Sequence, residues 1–314
     1  MSRVPEPDNT PEGPAFEGRL LARPEEEVVD QGAGFDISTL LTRRRVLGIV
    51  GAGVGAAALA ACGATSSGSS GSSSTSAGGS ASNASATVEG EIPQETAGPY
   101  PGDGTNGVNV LSESGIVRSD ITTSLDGGAT AEGVPLTFTF TVTDMANDNV
   151  PFEGVAVYLW HCNAQGQYSM YSEGIEDETY LRGVQVADAN GQVTFKTIMP
   201  ACYDGRWPHM HFEVYPDVDS ATNGENAIAT SQVAIPEKTA AKVFKEDAYD
   251  GSAENLTKVS LDTDNVFSDG YDLELGKFTG SVAAGFRGSL SVAVDTTTEA
   301  AQSGTGPGGG APPQ

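Results

Sequence analysis

The sequence predicts an all-β fold, an antiparallel β-sandwich with few short helices. From Leu136 to Thr143 apolar residues alternate with threonine, which places four side chains on each face of a strand. Val155 to Trp160, Gln192 to Ile198 and His209 to Tyr215 are further strand candidates. Only Glu237 to Tyr249 has fair amphipathic helix character, so the pattern disfavours an α/β fold.

Turn and loop signals complete the fold prediction. The Asn190-Gly191 pair separates Gly183–Ala187 from Gln192–Ile198 and predicts a hairpin between these two runs. The segment from Asp250 to Gly270 is polar and irregular. Weak strand character from Phe278 to Val294 predicts a final strand that closes or edges the sandwich.

Composition divides the chain into four parts. We expect a signal with an acidic leader over residues 1–61, a Ser/Gly linker over 62–86, a β-sandwich domain over 87–295 and a disordered tail over 296–314.

The N-terminal region carries an export pattern. Thr-Arg-Arg-Arg-Val-Leu-Gly at 42–48 leads into an apolar stretch from Val46 to Ala61, followed by Cys62. This order is typical of a twin-arginine signal that ends in a lipobox, with lipid attached to Cys62. It predicts a protein anchored by lipid to the outer face of the cytoplasmic membrane. A retained transmembrane anchor is the alternative interpretation.

The net charge restricts the possible partners of the protein, and the cysteine count bears on whether it forms a disulfide. The formal net charge of -26, with 16 Lys and Arg, disfavours nucleic acid as a partner. Removing the lipid-bearing Cys62 leaves Cys162 and Cys202, and an even pair in an oxidising compartment predicts a disulfide. Two buried free thiols are the alternative.

The strongest chemical signal is the His209-Met210-His211 motif. Residues two apart on a strand point to the same face, so both imidazoles can bind one metal. His161, the remaining histidine, has no such partner and is interpreted as a packed or exposed strand residue.

The residues around this motif resemble the intradiol ring-cleavage dioxygenases, the family of catechol 1,2-dioxygenase and protocatechuate 3,4-dioxygenase. The resemblance spans roughly Ile92 to Pro236. Its motifs are Gly98-Pro99-Tyr100, a tyrosine at 168 after an Asn-x-x-Gly turn, the approach from Asn190 to Pro200, Tyr203…Arg206-x-x-His209-x-His211, and Thr230-Ser231-Gln232.

The resemblance implies one Fe(III) per chain, with Tyr168 and His209 as equatorial ligands and Tyr203 and His211 as the axial pair. A hydroxide would complete five-coordinate iron. Phenolate oxygens are hard anionic donors that favour Fe(III) over Fe(II), whereas a site of two histidines and one carboxylate would imply Fe(II) chemistry.

The resemblance also implies the reaction and its other residues. A small aromatic diol and O2 would react to give a muconate-type diacid, with Tyr203 acting as a base. Arg206 would stabilise negative charge beside the metal, and Gln232 would support the site from behind the ligands. Gly98, Pro99 and Tyr100 would line the substrate pocket. The oligomeric state is left open.

Two other functions remain compatible with the sequence. One is a lipid-tethered β-sandwich that binds a partner without turnover. The other is a zinc hydrolase that uses His209 and His211 with Glu213 or Asp204 as a third ligand.

Overall fold

The computed structural model describes residues 90–297 and three short N-terminal strands, β1 to β3, which pair antiparallel with one another. These are Asp8–Thr10, Gly13–Phe16 and Arg19–Leu20. The predicted twin-arginine signal, lipidated Cys62, linker and C-terminal tail lie outside the described residues.

One sheet carries most of the residues that the sequence singled out. Its strand order is β10-β9-β6-β7, and every pairing in it is antiparallel. All residues of β6, β9 and β10 are buried, because loops cover the face that the other sheet leaves open. The strands are β6 Ala156–Trp160, β7 Arg182–Val186, β9 His209–Tyr215 and β10 Ala229–Ala234.

The second sheet is built around the alternating strand, β4 (Pro135–Asp144). On one side β4 pairs with β12, and on the other it pairs with β8 and, at its end, with β5. The inward face of β4 is buried at every second residue, as the alternation predicts. The other strands are β5 Val150–Pro151, β8 Gln192–Ile198, β11 Lys277–Ser281 and β12 Gly285–Val294.

Aromatic side chains join the two sheets. The ring centroids of Phe140 on β4 and Phe212 on β9 lie 4.9 Å apart, and those of Phe140 and Phe195 on β8 lie 6.4 Å apart. All three side chains are fully buried. The predicted all-β sandwich is therefore confirmed, with one addition: β12 runs parallel to β4.

The hairpin predicted at Asn190-Gly191 is wrong. β7 pairs with β6 and β8 pairs with β4, so the turn carries the chain from one sheet to the other. Gly191 adopts a φ of +70°, and its carbonyl accepts a hydrogen bond from the Val142 amide. A Cβ at this position would lie 2.2 Å from the Val142 carbonyl oxygen, so the turn is packed against β4.

Gly191→Ala should therefore destabilise the fold more than a glycine replacement in open space. Gly174→Ala is the matched control, since Gly174 has a φ of +82° with nothing within 4 Å of the added Cβ. The control should lose about 1–2 kcal/mol from the unfavourable φ alone. Gly191→Ala should lose a further 1–3 kcal/mol, roughly, in chemical denaturation. Equal losses would contradict the packing described for this turn.

Helices are short, as predicted. The candidate from Glu237 to Tyr249 forms α1 (Glu237–Val243) and ends early, followed by a separate turn of 3-10 helix at Asp247–Tyr249. The Tyr249 hydroxyl donates to the Met199 carbonyl and accepts from the Val134 amide, which ties this turn to the sheet. Within the irregular segment lies α2 (Ser252–Leu256). Across residues 90–297, no helix is long and apolar enough to cross a membrane.

A buried carboxyl group, Glu274, packs against β10. Its Oε1 accepts a hydrogen bond from the Ser231 hydroxyl at 3.2 Å, and its Oε2 has no hydrogen-bond partner among the described residues. Burial, and then the nearby charge of Glu95, raise the pKa of Glu274 to about 9. The fold therefore holds this carboxyl group in its protonated form at neutral pH.

The free energy of unfolding should fall as pH rises from about 4.5 to 9, because the unfolded state ionises Glu274 before the folded state does. Glu274→Gln should make the fall shallower, as seen in urea denaturation at several pH values. Glu254→Gln, at an exposed position, is the control and should leave the slope unchanged. An unchanged slope in Glu274→Gln would mean that the buried carboxyl is ionised in the folded state.

Candidate metal centre

Four side-chain atoms that can bind a metal lie close together beside β9. Two come from β9 itself and two from loops. The Nε2 atoms of His209 and His211 lie 3.1 Å apart. The Tyr203 hydroxyl lies 3.2 Å from the first of these, and the Tyr168 hydroxyl lies 3.3 Å from the second. The structure thus brings together the four residues predicted as metal ligands.

The spacing of these atoms suits a metal ion. Two donors about 2.0–2.1 Å from one ion and about 90–109° apart lie roughly 2.8–3.4 Å from each other. The three measured spacings of 3.1, 3.2 and 3.3 Å fall in that range. Two phenol oxygens and two imidazole nitrogens form a donor set suited to iron, so the residues fit the ferric ion that the sequence predicted.

A main-chain contact sets the tautomer of His209. Its Nδ1 faces the Trp207 carbonyl oxygen, which can only accept, so Nδ1 carries the proton and Nε2 presents its lone pair to the cluster. Burial, and then the Arg206 charge, lower the pKa of His209 well below its usual value. The imidazole is therefore neutral, which is the form that binds metals.

Ring stacking holds His211 in place. Its imidazole lies against the Trp160 indole with ring centroids 5.0 Å apart and planes within 8°, and the Tyr158 ring also stacks on Trp160, at 4.9 Å between centroids. The pairing of β6 with β9 puts Trp160 directly opposite His211. Burial, and then the neighbouring His209, lower the pKa of His211 well below its usual value. Its Nδ1 has no hydrogen-bond partner in the described part of the chain.

The two tyrosines occupy loops. Tyr168 follows β6 and is 1% exposed, whereas Tyr203 lies between β8 and β9 and is 6% exposed. Burial is the main cause that raises the pKa of both phenols above 10, and for Tyr168 the charge of Tyr203 adds to it. Both phenols therefore hold their protons until a cation replaces them.

Arg206 lies beside the cluster as a buried cation. Its Nη1 is 3.5 Å from His209 Nε2, and its Nη2 donates to Gln232 Oε1 at 2.7 Å. Gln232 is paired with His211 across β9 and β10, and its Nε2 donates to the Thr96 carbonyl. On its other edge, Arg206 forms a buried ion pair with Asp264 at 3.0 Å. Arg206 and Gln232 are thus placed where the sequence predicted.

The segment from Gly98 to Tyr100 forms a wall of the site. A Cβ on Gly98, whose φ is +73°, would lie 3.2 Å from His211 Cε1, so only glycine allows this close approach. The Tyr100 ring lies 5.1 Å from the Tyr168 ring between centroids. The Pro99 carbonyl accepts a hydrogen bond from Asn106, which anchors the segment on the side away from the ligands.

A second buried arginine, Arg182, ties this wall to the loop that carries Tyr168. Its guanidinium donates to the carbonyls of Tyr100, Pro101 and Ser169. It also donates to the Tyr158 hydroxyl at 3.2 Å. Arg182 therefore connects the loop that contains Tyr100 with the loop that contains Tyr168 through its hydrogen bonds.

The predicted disulfide between Cys162 and Cys202 is absent, and both residues are buried free thiols. Each sulfur is directed at a main-chain carbonyl: that of Ala201 for Cys162 at 3.9 Å, and that of Arg206 for Cys202 at 3.4 Å. Burial raises the pKa of both thiols to about 12, which suppresses the thiolate needed for disulfide formation. The alternative of two buried free thiols is the one observed.

Other candidate ligands lie apart from the cluster. His161 is buried and contacts the Cys162 carbonyl and the Thr197 hydroxyl, as expected for a packed residue. Asp204 is exposed beside Lys258, and Glu213 accepts a hydrogen bond from Tyr215. Among residues 90–297, no group of three or more His, Cys, Asp or Glu side chains could hold a metal ion. A zinc site with an acidic third ligand therefore lacks support.

Sequence reasoning missed three contributors to the site, Asp264, Trp160 and Arg182. Asp264 belongs to the segment interpreted as polar and irregular, and no local pattern connects it to Arg206. Trp160 was recognised only as a strand residue, and Arg182 directly precedes the predicted run Gly183–Ala187 and was not singled out. Their contacts depend on the pairing of β6 with both β7 and β9, which joins positions far apart in the chain.

Comparisons with known proteins show which sequences this chain is similar to. A family model described as a dioxygenase matches residues 110–215. Catechol 1,2-dioxygenase 1 of Acinetobacter lwoffii is 28% identical over 210 residues, which are 55% of this chain and 63% of that protein. The chain thus spans less than two thirds of this relative. Chlorocatechol 1,2-dioxygenase of Rhodococcus opacus is 32% identical over 72 residues, 23% of this chain and 27% of that protein.

A solved structure supports the fold. The intradiol ring-cleavage dioxygenase of Tetranychus urticae superimposes with a TM-score of 0.53 at 24% identity, covering 66% of this chain and 95% of that one. At this identity the likeness concerns the fold alone. With the dioxygenase match over residues 110–215 and the similarity to catechol 1,2-dioxygenases, it shows that the chain is similar to the intradiol ring-cleavage dioxygenases in fold and in part of its sequence.

Proposed function

We propose that the protein is a non-haem Fe(III) enzyme that cleaves catechol-type rings with O2 between the two hydroxyl-bearing carbons. The observation that carries the proposal is the cluster of two phenol oxygens and two imidazole nitrogens, in which successive atoms lie 3.1–3.3 Å apart. A tether or adhesion module would have no use for a buried cluster with this donor set, since burying polar side chains costs free energy.

Tyr168, Tyr203, His209 and His211 would hold one ferric ion. The ion would supply Lewis acidity that binds both oxygens of a catecholate and makes the adjoining ring carbon reactive towards O2. The chain prepares its ligands for this role: the Trp207 carbonyl sets the tautomer of His209, and the stacked Trp160 sets the ring plane of His211.

Tyr203 is the ligand best placed to take a substrate proton. It is the most exposed of the four, and the next two residues, Asp204 and Gly205, lie at the surface. Because burial raises the pKa of the Tyr203 phenol, its oxygen holds a proton firmly when it is not bound to a cation. Tyr203 would therefore accept a proton from a substrate hydroxyl as that oxygen takes its place.

Arg206 and Tyr100 would act on the bound ring. The Arg206 guanidinium, with Nη1 3.5 Å from His209 Nε2, would stabilise the negative charge that ring activation places on the substrate. The Tyr100 ring stands over Tyr168 and offers an aromatic surface at the wall of the pocket.

The reaction needs a small aromatic diol and O2, and no further reactant. Both oxygen atoms enter the product, the bond between the two hydroxyl-bearing carbons breaks, and a muconate-type diacid forms. Relatives of this chain are named catechol and chlorocatechol 1,2-dioxygenases, which supports a catechol-type ring as the substrate class.

The iron-loaded protein should be red-brown, because tyrosinate ligands transfer charge to Fe(III), and anaerobic catechol should shift its visible absorption. Tyr168→Phe and His211→Ala should each lose iron or this colour, as measured by metal analysis and visible spectroscopy. Each change removes one of the four converging donors.

His161→Gln is the matched control, since His161 is a buried histidine directly after β6 that contacts Thr197 instead of the cluster. It should keep both iron and colour. A wild-type protein that stays colourless and inactive after iron loading would refute the proposed enzyme, and equal loss in all three variants would refute the ligand assignment.

Export and lipid anchoring form part of the same proposal. The support is the order of twin arginines, apolar stretch and Cys62 in the sequence. The enzyme would then act at the outer face of the cytoplasmic membrane, on diols that reach the cell from outside.

Cys62→Ala should move the protein from the membrane fraction to the soluble fraction, because it removes the thiol that would carry lipid. Immunoblotting of fractionated cells measures the change, with Ser66→Ala as the control that remains with the membrane. A Cys62→Ala protein that still sediments with membranes would contradict the lipid anchor.

A further inference from the structure

Arg206 is a fully buried cation whose orientation decides what it can do in the site. Of its guanidinium nitrogens, Nη1 faces His209 and Nη2 faces Gln232. The loop that carries Arg206 contains Gly205 at a φ of +81°, and the two residues before Arg206 are exposed. The direction of the Arg206 side chain must come from the groups that contact it.

Asp264 is the main group of this kind. Its Oδ2 accepts from Arg206 Nε at 3.0 Å, and its Oδ1 accepts from Arg206 Nη2 at 3.3 Å. This bidentate pairing fixes the plane of the guanidinium as well as its position.

Asp264 is itself held rigidly. Its carboxylate accepts hydrogen bonds from the main-chain amides of Trp207, Val266 and Phe267, at 2.7, 2.9 and 3.3 Å. One of these amides directly follows Arg206, so Asp264 binds both the side chain and the backbone of the same loop. Asp264 lies outside the region matched by the dioxygenase model.

We propose that Asp264 is a positioning residue: by binding the Nε and Nη2 edge of Arg206, it directs Nη1 towards His209 and the substrate. This inference rests on the proposed function. Gln232, on the edge strand β10, also accepts a hydrogen bond from Nη2, at 2.7 Å. A shift of the guanidinium by about 1 Å would weaken charge stabilisation at the ring, and such displacements cost roughly 100-fold in rate.

Asp264→Asn tests the proposal, because it keeps the size of the side chain and removes the charge and one acceptor of the pair. We expect unchanged iron content and colour, a KM for catechol within about twofold, and a kcat lower by roughly 10- to 100-fold. Asp262→Asn, at an exposed position in the same segment, is the matched control and should match wild type.

A double-mutant cycle separates positioning from general damage. In an Arg206→Gln background, Asp264→Asn should lower kcat no further, because there is no guanidinium left to direct. The cycle is also run on the melting temperature of the iron-free protein, where the two changes should again be less than additive. An additive cycle in kcat, or wild-type kcat in Asp264→Asn, would overturn the proposal.

A second variant and a measurement that needs no turnover complete the experiment. Where Asp264→Asn does not fold, Asp264→Glu keeps the charge but moves the carboxylate, and it should still lower kcat; wild-type kcat would overturn the proposal. The melting-temperature cycle needs neither iron nor turnover. If the wild-type protein is inactive and the two changes are nevertheless less than additive in melting temperature, the proposed function is refuted. The contact between Arg206 and Asp264 is then still established.

Discussion

The approach of four donor atoms in a buried pocket is the constraint on which the rest of the structure depends. Neutral phenols and imidazoles at this spacing have few hydrogen-bond partners besides one another, so their burial costs free energy that the surrounding fold must offset. Packing of the sheet offsets this free-energy cost. The sheet is buried on both faces, and β9 lies between β6 and β10.

Each ligand is held by a different kind of contact. A main-chain carbonyl holds His209, stacked rings hold His211, and the loop carrying Tyr168 is tied to the pocket wall through Arg182. These supports come from segments that are distant in the chain. A cation that binds the four donors would relieve their mutual crowding, which links metal binding to the stability of the fold.

Arg206 and Asp264 form a buried ion pair beside the site. Arg206 carries a positive charge into the pocket, and Asp264 balances it from the side away from the ligands. The site therefore keeps one oriented cation next to the place where a substrate would develop negative charge.

The sequence predicted the fold class, because the alternation in β4 and the β9 motif are local signals with a period of two. The same period placed His209 and His211 side by side, and the resemblance to a known family added Tyr168 and Tyr203. The hairpin at Gly191 failed because a turn signal does not say which sheet the next strand joins.

Features set by tertiary contacts could not be read from the sequence. The thiols of Cys162 and Cys202 are free, and each sulfur is directed at a different carbonyl, a detail that counting cysteines does not reveal. Asp264 and Trp160 gave no local signal either. Both act through partners that only strand pairing and loop packing bring near.

The most direct measurement is a crystal structure of the iron-loaded protein with anomalous diffraction data collected at the iron absorption edge. The account predicts one peak about 2 Å from the Tyr168 and Tyr203 oxygens and the two Nε2 atoms of His209 and His211. A peak elsewhere, or an ion bound by Glu213 or another carboxylate in place of the tyrosines, would contradict it.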